Sequence, residues 1–179
     1  KEVTGGKYDL VLTASTLALQ AVAAANREGR VPHVFGAVTD PYGAGVGITG
    51  PEPDQHPPHL VGVGTFQPVA SAIRIAREMN PDLRRLGVVW NPSEDNSAAC
   101  VEMARKACGE QGMALLEAQA ATPAEVAEAV RSVLARKVQA VWIGGDTVAM
   151  AAVHTILAVA REGGIPVFSN DPTDPPRGA

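Results

Sequence analysis

The polar groups of this chain that could do chemistry sit in a few short stretches: Ala14-Ser15-Thr16, Thr39-Asp40-Pro41, Asn91–Ser97, Gly144–Thr147 and Ser169–Pro172. Hydroxyls and amides of this kind donate and accept hydrogen bonds, and carboxylates such as Asp40 and Asp146 can pair with an ammonium group. Helix N-termini expected at Thr16, Asn96 and Thr147 would offer unpaired N–H groups to a carboxylate. That is the chemistry of holding a small polar molecule. Bond-breaking sets are another matter: no Ser/His/Asp or Cys/His arrangement can be placed in register at one sheet edge. The sequence has no GxGxxG or GxxxxGK(S/T), and the glycine and threonine that follow GGD in nucleotide-using kinases are replaced by Thr147-Val148, so no phosphate cradle is expected. His56 and His59 are spaced like metal ligands but lack a third, while His33 and His154 stand alone, so no metal site is expected.

Each polar stretch follows an apolar run that suits a strand. Asp9–Thr13, Pro32–Val38, Leu86–Trp90, Ala140–Ile143 and Ile165–Phe168 are short and nearly all apolar, as in strands covered on both faces. Leu60–Thr65 and Ala114–Glu117 also read as strands, and helical patterns follow most of these runs. One runs from Ser15 or Thr16 to about Glu28, one from Pro68 to Asn80, one from Glu94 to Gln111, and one from the capping box Thr122-Pro123-Ala124-Glu125 to Arg136. The last covers Thr147–Glu162. Strands alternating with helices predict an α/β fold, a parallel sheet with helices on both faces and right-handed crossovers. In such sheets ligands lie at the carboxyl ends of the strands, which is where these polar stretches fall. Ordinary helix capping competes for the same residues; Ser93 reads first as a cap, and Asp146 equally as a cap and as a ligand group.

Bulk properties agree with a small-molecule role. The chain has 179 residues, 46% hydrophobic and 4% aromatic, so aliphatic packing dominates. A net charge of −4 with scattered basic residues excludes nucleic acid as the main partner. No apolar run approaches the roughly 20 residues of a membrane span, and Lys1–Lys7 does not read as a signal peptide. Cys100 and Cys108 fall near one apolar helix stripe and read as buried thiols; Trp142 reads as core, and Trp90 as core or as a stacking partner for a ligand ring. The segment Asp40–Pro58, rich in proline and glycine, reads as a loop or inter-lobe linker. The expected division is therefore 1–61, a partial first lobe plus linker; 62–169, a second Rossmann-like lobe; and 170–179, the start of a hinge return. Two strands and one helix make an incomplete first lobe, so the chain reads as part of a larger two-lobed protein.

The blocks TASTLALQA (Thr13–Ala21), VFGAVTDPYGAG (Val34–Gly45), LGVVWNPSEDNS (Leu86–Ser97), GGDTV (Gly144–Val148) and IPVFSNDP (Ile165–Pro172) resemble those of ABC transporter substrate-binding proteins. The likeness is to the type I periplasmic-binding class, in the branch that includes tryptophan- and other aromatic-amino-acid-binding members. This resemblance implies a non-enzymatic receptor without a cofactor that closes two lobes around a small polar ligand, an amino acid, and delivers it to an ABC permease. It also implies a periplasmic or extracytoplasmic location, with lipid anchoring an option for the full-length protein. By position, it implies a cleft lined by Ser15, Thr16, Thr39, Asp40, Asn91, Ser93, Asn96, Ser97, Asp146, Thr147 and Asn170 or Asp171. An amino-acid zwitterion would need its two charges met at opposite ends. The effector-binding core of a LacI-type regulator shares the architecture and is the alternative; a small α/β enzyme is a third reading.

Overall fold

A computed structural model describes residues 5–171, in two compact units: one up to Phe66, the other from Gln67. The expected segment 170–179 falls mostly outside the described residues; only Asn170 and Asp171 of it are seen.

The first unit is a parallel three-stranded sheet in the order β1 (Val11–Ala14), β2 (His33–Val38), β3 (Leu60–Gly64). Helix α1 (Thr16–Ala25) connects β1 to β2, and residues 39–59 connect β2 to β3. Both connections step in the same direction across the sheet, so right-handed crossovers put both on one face. Leu19 of α1 and Ala44 and Ile48 of the loop accordingly pack with Phe35, Val38 and Leu60. The opposite face is open, with Leu12 71% and Val63 69% exposed.

Two expectations are corrected here. Segment 40–58 is the loop of its two readings and not the inter-lobe linker: it is a crossover within the first unit, since Ala44 and Ile48 are core residues and the Gln20 amide donates to the Ala44 carbonyl at 3.0 Å. The strand at 60–64 belongs to the first sheet, not to the second lobe, because His33, Val34 and Phe35 pair with Leu60, Val61 and Gly62. Gly62 permits that pairing: a Cβ there would lie 2.2 Å from the Phe35 carbonyl oxygen. The division between units therefore falls after Phe66, not after residue 61.

The second unit is a parallel four-stranded sheet. It holds β4 (Arg85–Trp90), β5 (Ala114–Gln119), β6 (Ala140–Ile143) and β7 (Val167–Ser169), in the order β5-β4-β6-β7. The chain leaves β4 in one direction through α3 (Asp95–Glu110) to β5. It then crosses back through α4 (Val126–Ala135) to β6 and on through α5 (Thr147–Ala151) and α6 (Val153–Glu162) to β7. The reversal of direction places α3 on one face of the sheet and α4 and α6 on the other. Strand alternation matches this. Leu86, Val88, Trp90, Ala140 and Trp142 pack under α3 and α2 (Val69–Met79). Val89, Val141 and Ile143 pack under α4 and α6. The single helix expected over 147–162 is broken at Ala152, whose φ of −111° and ψ of 17° leave the helical region. Cys100 and Cys108 are buried and unpaired to each other, as expected, and burial pushes both thiols up to about 11.

Candidate functional site

Sheet order β5-β4-β6-β7 puts its switch point between β4 and β6, where connections diverge and strand carboxyl ends open a crevice. The second unit's predicted residues meet there. Asp146, 2% exposed, is the N-cap of α5 and its Oδ1 accepts from the Ala149 N–H at 2.7 Å. Its Oδ2 accepts from the Asn91 N–H at 3.3 Å and from the Ser97 hydroxyl at 3.0 Å. Asp146 thus ties the end of β4 and the first turn of α3 to the start of α5. Burial, the largest influence, raises its pKa above the ordinary carboxylate value; the Ala149, Ser97 and Asn91 donors pull it back, and the charge of Glu94 adds to the rise.

Glu94 is the residue that sequence reasoning missed. It is 4% exposed, and its carboxylate accepts from the Asn91 amide at 3.0 Å, from the Thr147 N–H at 3.0 Å and from the Thr147 hydroxyl. Its only signal in the sequence was its place between a strand end and a helix start, where a glutamate normally faces water. The expectation that the helix start at Thr147 would receive a ligand carboxylate is corrected by this contact. The Thr147 and Ala149 N–H groups are already taken by the chain's own Glu94 and Asp146. The first turn of α3 differs, since its N-cap residue Glu94 makes no side-chain cap hydrogen bond there.

Asn91 closes an Asx turn, its Oδ1 accepting from the Ser93 N–H at 3.0 Å. Ser93 itself is exposed and caps nothing, contrary to its reading as a cap; Glu94 holds that position with its backbone, and its carbonyl accepts from the Ala98 N–H. The Asn96 amide donates to the Gly145 carbonyl at 2.9 Å, while its Oδ1 is buried without a partner. Asn170 joins at β7, its Oδ1 accepting from the Trp142 indole N–H at 3.2 Å, and Asp171 donates its N–H to the Ser169 hydroxyl. Trp90 is 8% exposed and packs in the core under α3, with the Arg105 guanidinium 5.8 Å from its ring centre.

In the first unit, Ser15 caps α1 by accepting from the Ala18 N–H at 3.3 Å. Its φ of 95° and ψ of 155° lie in a region almost reserved for glycine, which no sequence pattern announced. Thr16 and Thr39 are buried at the carboxyl ends of β1 and β2. Asp40 closes its own turn, accepting from the Tyr42 N–H at 3.0 Å.

The model of the family described as ABC transporter substrate binding protein matches residues 1–179. The chain belongs to that family. Its members are solute-binding proteins, which favours the receptor reading over the regulator and enzyme readings. The tyrosine-binding protein of Clostridioides difficile is 25% identical over 165 residues, 92% of this chain and 46% of that protein. A conserved domain protein of Vibrio cholerae is 26% identical with a TM-score of 0.88, over 99% of this chain and 58% of the other. An L-Trp complex from Streptococcus pneumonia, 23% identical with a TM-score of 0.79 over 94% of this chain and 55% of the other, shares the fold. The chain therefore spans about half the length of the relatives it matches.

Proposed function

We propose that this chain serves in taking up an amino acid, with an aromatic one first in line, by holding it at the carboxyl ends of its strands. The observation that carries the reading is the polar frame at the β4–β6 switch point. Asp146 and Glu94 satisfy one another's neighbours from within, so the edge is built before any cargo arrives, and preorganisation of this kind lowers the cost of binding. Beside that frame, the α3 N-cap residue Glu94 makes no side-chain cap hydrogen bond and the buried Asn96 Oδ1 has no partner. Of the residues expected to touch cargo, Asn96 in the second unit and Ser15, Thr16 and Thr39 in the first keep that role. Asn91, Ser97, Asp146, Thr147 and Asn170 act chiefly by positioning, while Asp40 stands at a strand end of the first unit and Ser93 and Asp171 at strand ends of the second. The C. difficile relative is named for tyrosine and the Streptococcus structure holds L-Trp, which supports an aromatic amino acid as cargo.

Delivery to an ABC permease and an extracytoplasmic location, with or without a lipid anchor, complete the proposal. Among the described residues, no helix is long and apolar enough to cross a membrane. The test is a thermal-shift screen of the full-length protein against the L-amino acids, sugars and nucleotides. Cargo at a hundredfold excess over its Kd adds about 2.7 kcal/mol of stability. A rise with tryptophan or tyrosine is expected; a rise with sugars or nucleotides and none with amino acids overturns the assignment.

A further inference from the structure

A line of polar side chains runs from the core of the second unit to its strand-end edge, and its direction is set at the buried end. Trp142, 1% exposed on β6, carries an indole N–H that can only donate. It donates to Asn170 Oδ1 at 3.2 Å, so the Asn170 NH2 must face the other way, and that NH2 donates to Gln67 Oε1 at 3.2 Å. The Gln67 oxygen is thereby committed, and its NH2 is the end left over. That NH2 lies directly on Gly145: a Cβ built there would be 1.7 Å from Gln67 Nε2. Gly145 is also the residue whose carbonyl receives the Asn96 amide. The outward donor thus stands at the polar edge described above, half-buried and with its orientation fixed from the core.

We infer that Gln67 is a specificity-determining residue of the cargo site, its NH2 donating to an oxygen acceptor of the bound amino acid. The assignment rests on the amino-acid reading proposed above. Its residues act in distinct ways: Gln67 touches cargo, Asn170 and Trp142 orient it, and Gly145 provides the room. A donor held in one orientation favours a ligand oxygen at that point and rejects a ligand donor there, because a misplaced polar group is left unpaired.

Titration calorimetry of the full-length protein with L-tryptophan and L-tyrosine tests this, with melting temperature as the control for folding. Gln67→Glu retains the oxygen that Asn170 needs and replaces only the outward donor by an acceptor. It is expected to melt as the wild type does and to bind about ten- to a hundredfold more weakly, the range for losing one hydrogen bond to a charged group. Gln67→Ala is expected to weaken binding as well. Gly145→Ala evicts only the end of a flexible side chain, so it is expected to fold and to reproduce the Gln67→Ala loss. In the double variant the second substitution should then add nothing, the signature of two residues acting through one contact. Wild-type affinity in Gln67→Glu, or additive losses in the double variant, overturns the assignment while leaving the amino-acid reading intact. A wild type that binds neither amino acid removes that reading and this assignment together.

Discussion

Asp146→Ala is the most informative single change. The carboxylate holds the α5 cap, the Asn91 N–H and the Ser97 hydroxyl, and all three lie in buried surroundings. Loss of the cap costs about 1 kcal/mol. Two orphaned buried donors cost about 1–3 kcal/mol each, and relief of the charge's own desolvation returns part of that. The expected loss is about 3–5 kcal/mol, against less than about 2 kcal/mol for Asp146→Asn, which retains one acceptor oxygen. Trp90 and Trp142 are the only tryptophans and both lie in the second unit, so urea unfolding followed by tryptophan fluorescence reads that unit alone. With a slope of about 1–1.5 kcal/mol per molar urea, the alanine variant should shift the midpoint down by about 2–5 M. The same carboxylate gives a pH signature. Its native pKa is raised, mainly by burial, so the folded state holds the proton more tightly than the unfolded chain does. Its contribution is fully present below the ordinary carboxylate pKa and is lost as pH rises through the raised native value. Mild acidification should therefore favour the wild-type unit relative to Asp146→Asn across that window. A midpoint shift under about 0.5 M for Asp146→Ala, or identical pH profiles for wild type and Asp146→Asn, would refute the reasoning.

Three further outcomes concern the first unit, where Tyr8 and Tyr42, the only tyrosines, can be followed by fluorine NMR after fluorotyrosine labelling. Ser15→Gly should stabilise this unit by about 0.5–1 kcal/mol, because relief at φ 95° outweighs the loss of an exposed cap; a lower urea midpoint would count against it. Gly62→Ala should cost about 1–3 kcal/mol, since its Cβ would meet the backbone oxygen of Phe35, and an unchanged midpoint would disprove the close approach. His33 is buried, bonded through Nε2 to the Thr13 hydroxyl, and its pKa is lowered by burial first and by His59 second. Its contribution to stability is therefore present above the ordinary histidine value of about 6.5 and lost as pH falls from there through the lowered native value. Replacing His33 by Gln should flatten that acid-side slope in urea melts.

The repeating strand–polar turn–helix pattern was readable by itself because a strand buried on both faces must be apolar throughout, and a helix start must supply hydrogen-bond acceptors. That reasoning located β4, α3, β6 and the polar stretches at their ends, and the family blocks fell on the same residues. What the sequence could not decide was which strand pairs with which. Leu60–Gly64 is an acceptable strand for either sheet by composition; only the contact of Gly62 with the Phe35 backbone and the burial of Ala44 and Ile48 assign it to the first. Nor could it apportion the polar groups between frame and cargo. Glu94 lies some fifty residues from Asp146 and Thr147, and the hydrogen bonds that link these two stretches arise because two strand ends lie side by side. The same holds for Gln67, whose neighbour Asn170 is 103 positions away. Residue types and local order are written in the chain, but long-range partners exist only after packing has brought the strand ends together.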